Sequence, residues 1–386
     1  MLTLTSKYNE NEVVDLVEQL LHYGLKQRAS DIHFEPYQNE YRIRMRIDGV
    51  LQTIRNLPVL LAKSITVRLK IMAKLNIAEQ RLPQDGQFTI MDKTMRLSCI
   101  PVLYGEKIVL RVMDNHQFIL SIQQLGLSSQ ELNDYQTALR HPQGLILVTG
   151  PTGSGKTITL YSGLKEINHD THNICSVEDP IEMPIDGMNQ TQINTKVGLN
   201  FTHTLRSFLR QDPDIIMIGE IRDHETAEIA VQAAQTGHLV LSTLHTNSSA
   251  EAMIRLNQMG IKNYAIASSL KLIIAQRLVR KLCQHCKRQS DTPFVIDKQN
   301  YIHFVAQSCP QCIGGYHGRT GVYEFLPIKP QIQALLLSEH NISLQILRQA
   351  MQTSGVKTLS WSGLDLIKQG VTSLAEIQRV LGGLYD

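Results

Sequence analysis

No apolar run in the 386 residues approaches the eighteen or so needed to cross a bilayer, so a membrane-spanning helix is not expected. Met1 to Asn11 carries neither a basic stretch nor an apolar one, and no secretory leader is read there. Charge of one sign is lacking too. The 38 Lys and Arg against 35 Asp and Glu leave +3, which argues neither for nor against a nucleic-acid partner. There is no low-complexity tract and no internal repeat. Cysteine is sparse and unevenly placed: four of the six fall in two Cys-x-x-Cys pairs, which in a cytosolic chain points to metal rather than disulfides. Cys99 and Cys175 lie in apolar, strand-like runs and read as core residues. What remains, 42% hydrophobic and 19% charged, is an ordinary globular composition long enough for two or three domains.

The most informative stretch is Gly150-Pro151-Thr152-Gly153-Ser154-Gly155-Lys156-Thr157, a G-x-x-x-x-G-K-T phosphate-binding loop. It follows an apolar run, Leu145 to Val148, that reads as a buried strand, and it precedes a helix over Thr159 to Ile167. The glycines let backbone N–H groups turn inward as an anion nest, and the helix adds the positive end of its dipole. Lys156 is expected to reach the β- and γ-phosphates, and the Thr157 hydroxyl to ligate magnesium, so ATP and Mg2+ are the expected ligands.

Before the loop, residues 12–28 have helical periodicity and Tyr41 to Leu51 alternates as a strand, with a turn at Asp48-Gly49. Arg42, Arg44 and Arg46 share one face of that strand, which reads as solvated. A second helical stretch covers 58–80. A loop over 81–87 and strands near 87–91, 95–101 and 107–113 complete a small α+β domain. Residues 114–128 read as a connection, and Ser128 or Ser129 with Glu131 caps the helix running to Arg140.

After the loop, Asn173 to Val177 is a core strand ending in a cluster of carboxylates, Glu178, Asp179 and Glu182. In parallel α/β sheets such ends line the ligand crevice, although a solvated acidic loop fits the same letters. Arg206 to Leu209 lies on a helix. Asp214 to Glu220 is another buried strand ending in an acid, resembling a Walker B segment with Gly219 where an aspartate usually stands. Glu220 is therefore the candidate for polarising the attacking water. A fourth strand, Leu239 to Leu244, ends at His245, which is either structural or a sensor of nucleotide state.

Helices are expected over 248–259 and 264–282. Then come Cys283-Gln284-His285-Cys286 and Cys309-Pro310-Gln311-Cys312, the spacing of a tetrahedral Zn2+ site held by four thiolates. A closed shell of four sulfurs makes zinc structural rather than catalytic. Gly314 to Gly321 reads as flexible, Val322 to Ile328 as a last strand, and 330–386 as a helical tail.

These blocks together resemble the secretion ATPase superfamily of type II secretion and type IV pilus assembly motors (GspE/PilB-like). Ala29–Pro36, Ile77–Gly86, the phosphate loop, Val177–Glu182, Leu209–Asp223, Thr236–Asn247, the four cysteines and Gly318–Leu326 occur in the family's order. The resemblance implies a RecA-like α/β ATPase core (129–282) preceded by a small α+β, PAS-like domain (1–113). A zinc insert (283–328) and a helical C-terminal region (329–386) follow. It assigns 178–182 to the acidic box, making Glu178 a catalytic candidate, 214–220 to an atypical Walker B, and 236–247 to the histidine box that contains His245.

The resemblance further implies that Arg81 and Arg96 of the N-terminal domain neutralise charge on the transferred phosphoryl group. Arg210 and Arg222 match positions near the Walker B strand, where structural ion pairs fit equally. A homohexamer acting on an inner-membrane platform protein, at the cytoplasmic face of the inner membrane, is implied as well. The tetracysteine insert and the Ala-Gln-Arg-Leu segment at 275–278 lean towards pilus-assembly members. Two departures are seen: a further N-terminal docking domain is not expected, and Gln87 replaces an arginine common after Pro-Gln-Asp-Gly.

Two rival readings compete. A nucleic-acid translocase would use the basic 277–288 segment, but the zinc region lacks the aromatic-basic interleaving that stacks bases, so direct nucleic-acid binding is not expected. A nucleotide-gated scaffold without hydrolysis would not need Glu220.

Overall fold

The computed structural model describes residues 10–113, 119–296, 299–338 and 342–383. The beginning of the expected connection, residues 114–118, lies outside the described residues, as do the first nine and last three residues of the chain. Two compact units result, one ending at Gln117 and the other beginning at Phe118.

In the first unit, α1 (Glu10–Lys26) is followed by β1 (Ala29–Pro36), β2 (Glu40–Ile47) and β3 (Val50–Pro58). Then come α2 (Leu61–Met72), β4 (Gln84–Ile90), β5 (Lys93–Val102) and β6 (Gly105–Met113). The strands form one antiparallel sheet in the order β3-β2-β1-β6-β5-β4. Along β2 the alternation expected from sequence is realised: Tyr41, Ile43, Met45 and Ile47 are buried in the core. The opposite face is not simply solvated. Arg44 clamps Glu35 with two bonds of 2.6 and 2.8 Å. Lys107 lies 2.9 Å from the same carboxylate, Arg111 donates to Asp31 at 2.9 Å, and Arg46 lies 3.6 Å from Asp31. Burial pushes the Glu35 carboxyl up, but the bonds from Arg44 and Lys107 outweigh it and hold the group at about 2.

The helix expected over 58–80 ends at Met72. Residues 73–83 form a loop pinned from below: buried Lys70 pairs with Glu106 at 2.5 Å and donates to the Glu79 carbonyl at 2.7 Å.

The second unit opens with a turn of 3-10 helix at Ile122–Leu125 and then α3 (Ser129–Leu139), whose N-cap Ser128 closes a capping box with Glu131. Next are β7 (Gly144–Thr149), α4 (Lys156–Ile167), β8 (Ile174–Glu178), β9 (Met188–Gln192), α5 (Phe201–Phe208) and β10 (Ile215–Ile218). After them come α6 (His224–Gln235), β11 (Leu239–Leu244), α7 (Ser249–Gln258) and α8 (Asn263–Ser269).

The helix expected over 264–282 is corrected here: it stops at Ser269, and Leu270–Leu282 is a thirteen-residue strand, β12. A short apolar run does not distinguish a buried strand from a buried helix by period alone, and β-branched Ile273, Ile274 and Val279 favour the strand.

Four short strands, β13 (Arg288–Gln289), β14 (Phe294–Ile296), β15 (Gln299–Tyr301) and β16 (Phe304–Val305), make up the cysteine-bearing insert. The long β17 (Tyr316–Pro327) then returns antiparallel along β12, so residues 316–321, read from sequence as flexible, are paired strand. Helices α9 (Pro330–Ser338), α10 (Leu344–Thr353), α11 (Leu359–Lys368) and α12 (Leu374–Leu381) end the chain.

The sheet order is β17-β12-β7-β11-β10-β8-β9, parallel from β12 to β9. Helices cover both faces: Leu145 and Leu147 of β7 join one core, while Ile146 and Val148 join the other. All the parallel strands therefore end on one edge, where β7, β8, β10 and β11 deliver their C-terminal residues.

Candidate active site and metal centre

At that edge the loop from Gly150 to Thr157 turns out of β7 into α4. Its glycines are demanded by close approach and by backbone conformation. A Cβ on Gly150 (φ +153°) would lie 2.5 Å from the Gln276 carbonyl oxygen, and one on Gly155 (φ +88°) 2.8 Å from the Gln276 side-chain amide nitrogen. Gly153 also has positive φ and faces open space. Lys156 Nζ donates to the carbonyls of Gly150 at 2.9 Å and Pro151 at 3.1 Å. Burial lowers its pKa, and the Glu220 charge opposes that shift. The Ser154 hydroxyl is buried with no hydrogen-bond partner among the described residues. An anion nest of left-handed glycines, an ammonium and an orphaned buried hydroxyl is a donor set that fits a polyphosphate.

Pro151, Thr152 and the rest of the loop share this edge with a cleft of about 370 Å³, lined among others by Lys156, Thr157, Glu178, Glu182, Glu220 and His245. The two acids expected from the acidic box behave differently. Glu178, at the last position of β8, is 3% exposed, and its oxygens accept from Tyr161 OH, from Ser176 Oγ at 2.6 Å and from Gln190 Nε2 at 3.1 Å. Glu182 instead accepts from the Thr157 hydroxyl at 3.3 Å. Burial raises the pKa of Glu182, with the Thr157 bond opposing. Of the two carboxylates, Glu182 is the one beside the hydroxyl expected to bind magnesium.

Glu220 follows β10 and is held from two sides. Arg222 pairs with one carboxylate oxygen, and His245 Nε2 lies 3.3 Å from the other. Gly219, standing where an aspartate is usual, has a geometric reason. A Cβ there would come within 3.3 Å of the Val177 carbonyl and 3.4 Å of Glu178 Cα, so glycine lets the ends of β10 and β8 approach by a few tenths of an ångström more than a side chain would. His245 leaves β11 and is about half exposed. The turn after it is tied to β7 by Thr149 Oγ1, which accepts from Thr246 N at 2.9 Å. Arg210 donates to the Arg206 carbonyl at 2.7 Å and caps its own helix.

Arg81 and Arg96 belong to the first unit. Arg81 is on the pinned loop, 88% exposed, and its guanidinium pairs with Glu79 at 3.0 Å. Arg96 is an exposed residue of β5, opposite Gln87.

Sequence reasoning missed Gln276 and Arg277, because both were assigned to a helix end. On a strand, adjacent side chains point to opposite faces. Gln276 reaches the phosphate loop, whereas Arg277 donates to the Asn247 carbonyl at 3.1 Å and side-chain oxygen at 3.2 Å. Arg319 of β17, which also lines the cleft, was read only as part of a motif.

Cys283 directly follows β12. The four sulfurs of Cys283, Cys286, Cys309 and Cys312 lie within 4.8 Å of one another, with nearest separations of 3.6–3.9 Å. A tetrahedron with Zn–S bonds of about 2.3 Å has edges of about 3.8 Å, so the donor set fits zinc. Knuckle bonds fix each pair, from Lys287 N to the Cys283 carbonyl at 2.9 Å and from Cys312 N to the Cys309 carbonyl at 3.2 Å.

Residues 6–379 match the family model described as type II/IV secretion system protein. The chain is 50% identical over 376 residues to the protein transport protein HofB homolog of Escherichia coli, covering 95% of this chain and 81% of that one. It is 47% identical over 388 residues to the type IV pilus assembly ATPase PilB of Acinetobacter baylyi, covering 96% and 67%. With the type II secretion system ATPase E of Vibrio cholerae it shares 42% identity over 396 residues, covering 98% and 77%. Among solved structures, the Legionella pneumophila ATPase DotB superposes with a TM-score of 0.71 at 21% identity, over 98% of this chain and 97% of that one. The pilus retraction motor PilT with bound ADP gives 0.61 at 27% identity, covering 94% and 95%.

Proposed function

The chain belongs to the type II/IV secretion system protein family, and on that premise we propose an ATPase motor that drives assembly of a type IV pilus. The observation that carries the reading is one cleft joining the phosphate loop, the Thr157–Glu182 pair and the Glu220–His245 pair at the ends of parallel strands. In this reading the loop from Gly150 to Thr157 binds the phosphates of ATP. Thr157 and Glu182 would hold Mg2+, which supplies charge neutralisation on the phosphates when bound. Glu220, kept in place by Arg222 and His245, orients and deprotonates the attacking water. Glu178 braces the floor of the site through Tyr161 and Ser176. Arg81 and Arg96 are proposed to meet the charge on the transferred phosphoryl group, a contribution of about 10³–10⁵ in rate where such arginines act.

The working unit of this proposal is a homohexamer coupled to an inner-membrane platform protein, which brings it to the cytoplasmic face of the inner membrane. None of the described helices is long and apolar enough to cross a membrane. The four cysteines would hold Zn2+ and close the insert, in a class of site with apparent binding of about 10–16 kcal/mol. Elemental analysis is expected to find one zinc per chain, and none in the Cys283→Ser/Cys286→Ser variant.

A clean deletion strain tests the pilus assignment. Loss of surface pili or of DNA uptake with intact exoprotein secretion is the expected result. Retained pili with trapped exoproteins would assign the chain to type II secretion instead, the reading that the likeness to the secretion ATPase supports.

A further inference from the structure

β7 stops at Thr149, where its partner on β12 is Ala275, and the phosphate loop turns away from the sheet at the next residue. β12 does not stop there. It continues past the loop with only β17 beside it, so Gln276 is the first residue of β12 with no strand opposite on the β7 side. Its side chain is 2% exposed and fills the space under the loop. The amide nitrogen donates to the Ser154 carbonyl at 2.8 Å, and the amide oxygen accepts from the Thr159 hydroxyl at 2.7 Å. The Ser154 carbonyl can only accept, and this fixes which end of the amide is which. The Gln276 backbone oxygen and side-chain nitrogen are also the atoms that a Cβ on Gly150 or Gly155 would meet.

We infer that Gln276 is a positioning residue for nucleotide binding: its amide ties the middle of the phosphate loop to the first turn of α4 and holds the nest in its phosphate-accepting shape. Ser154 lies between Gly153 and Gly155, so a carbonyl fixed there sets the direction in which the neighbouring N–H groups point. Without the donor, a buried carbonyl loses its partner and the loop is free to rotate it elsewhere. The amide is also uncharged, and it braces an anion site without adding a negative charge to it. The inference rests on the phosphate loop binding nucleotide, as proposed above.

The test is equilibrium binding of a fluorescent ADP with magnesium to the purified full chain, with steady-state ATP hydrolysis beside it. Gln276→Met keeps length and removes both hydrogen-bonding ends. It is expected to weaken binding about 10-fold, the cost of roughly one hydrogen bond, and to raise KM more than it lowers kcat. Thr159→Val should weaken binding less, and the double variant should match Gln276→Met alone because both act through one bridge.

Gln276→Glu separates positioning from packing. The ionised carboxylate cannot donate to the Ser154 carbonyl, but the protonated acid can, so binding should recover as pH is lowered from 8 to 6. The wild-type profile is measured alongside, since Lys156, Glu182, Glu220, His245, Arg277 and Arg319 face or adjoin the same space. Gln276→Met binding within two-fold of wild type overturns the inference, as does a Gln276→Glu profile parallel to wild type. Wild-type protein that binds no nucleotide overturns the phosphate-loop reading itself, which is a different failure.

Discussion

In the seven-stranded sheet, β7, β8, β10 and β11 are buried at every position, and charge is concentrated where those strands end. In the six-stranded sheet, charge runs along the strands: Asp31, Glu35, Arg44, Arg46, Lys107 and Arg111 form a lattice of ion pairs over one face. The contrast follows from coverage. Helices on both faces of a parallel sheet leave only its edge for polar chemistry, whereas the antiparallel sheet has a face on which opposite charges can neutralise one another in place. Charge at the strand ends is thus available to a ligand, and charge along the strands is largely consumed in holding the sheet.

The comparison fails most visibly if charge at the strand ends proves structural. Lys156→Ala is expected to lower ATP turnover about 10³-fold or more while leaving the unfolding midpoint reported by Trp361, the only tryptophan, unchanged. Glu220→Gln should retain ATP binding and lose about 10²–10⁴ in turnover, measured by single-turnover hydrolysis.

Glu35→Gln tests the other side. Removing one partner of a mostly buried cluster should cost the first unit about 1–3 kcal/mol, between the exposed and buried limits. Hydrogen exchange should report that loss in β1 and β2 with β7 and β11 unaffected. Because the folded-state pKa of Glu35 is depressed to about 2, its stabilisation is fully present above the ordinary carboxylate value of 4.5. It is lost as pH falls from there towards 2, and the variant should lack that acid-sensitive portion. Arg42→Ala, which breaks a half-buried pair with Glu40 and a contact with the Tyr37 ring, should cost less stability than Glu35→Gln and leave turnover within error.

The same contrast explains what was legible in sequence. The phosphate loop, Glu220 and the cysteine knuckles are local in sequence: a few fixed positions carry the chemistry, and the strand-turn-helix context can be checked from neighbouring letters. The clamp on the loop is not local, because Gln276 is 122 residues from the Ser154 carbonyl it binds. β12 was read as helix because its letters do not alternate: Leu272 to Ala275 is apolar throughout, and Gln276 and Arg277 are adjacent polar residues that are both buried. The division of labour between Glu178 and Glu182 was equally hidden, since only packing shows which acid Tyr161 and Ser176 occupy. The arginines of β2 were legible as a face but not as pairs, because Asp31 and Glu35 reach them across the sheet.

β12 also acts as a ruler. Deleting or inserting a single residue between Leu272 and Ala275, beyond the irregularity in register at Leu270–Leu272, would exchange the faces of Gln276 and Arg277, placing a guanidinium beneath the phosphate loop and an amide against Asn247. A change of two residues would restore the faces but slide the clamp by about 6.6 Å along the strand, away from Ser154. Substitutions in this segment are therefore graded in their effect, whereas changes in its length are all-or-none. The opposite holds a few residues further on. Between Cys286 and Cys309 the chain is closed at both ends by its knuckles, and doubling such a loop costs only about 0.6 kcal/mol. If related motors differ in length, the difference belongs in that insert, and the strand leading into it keeps its count.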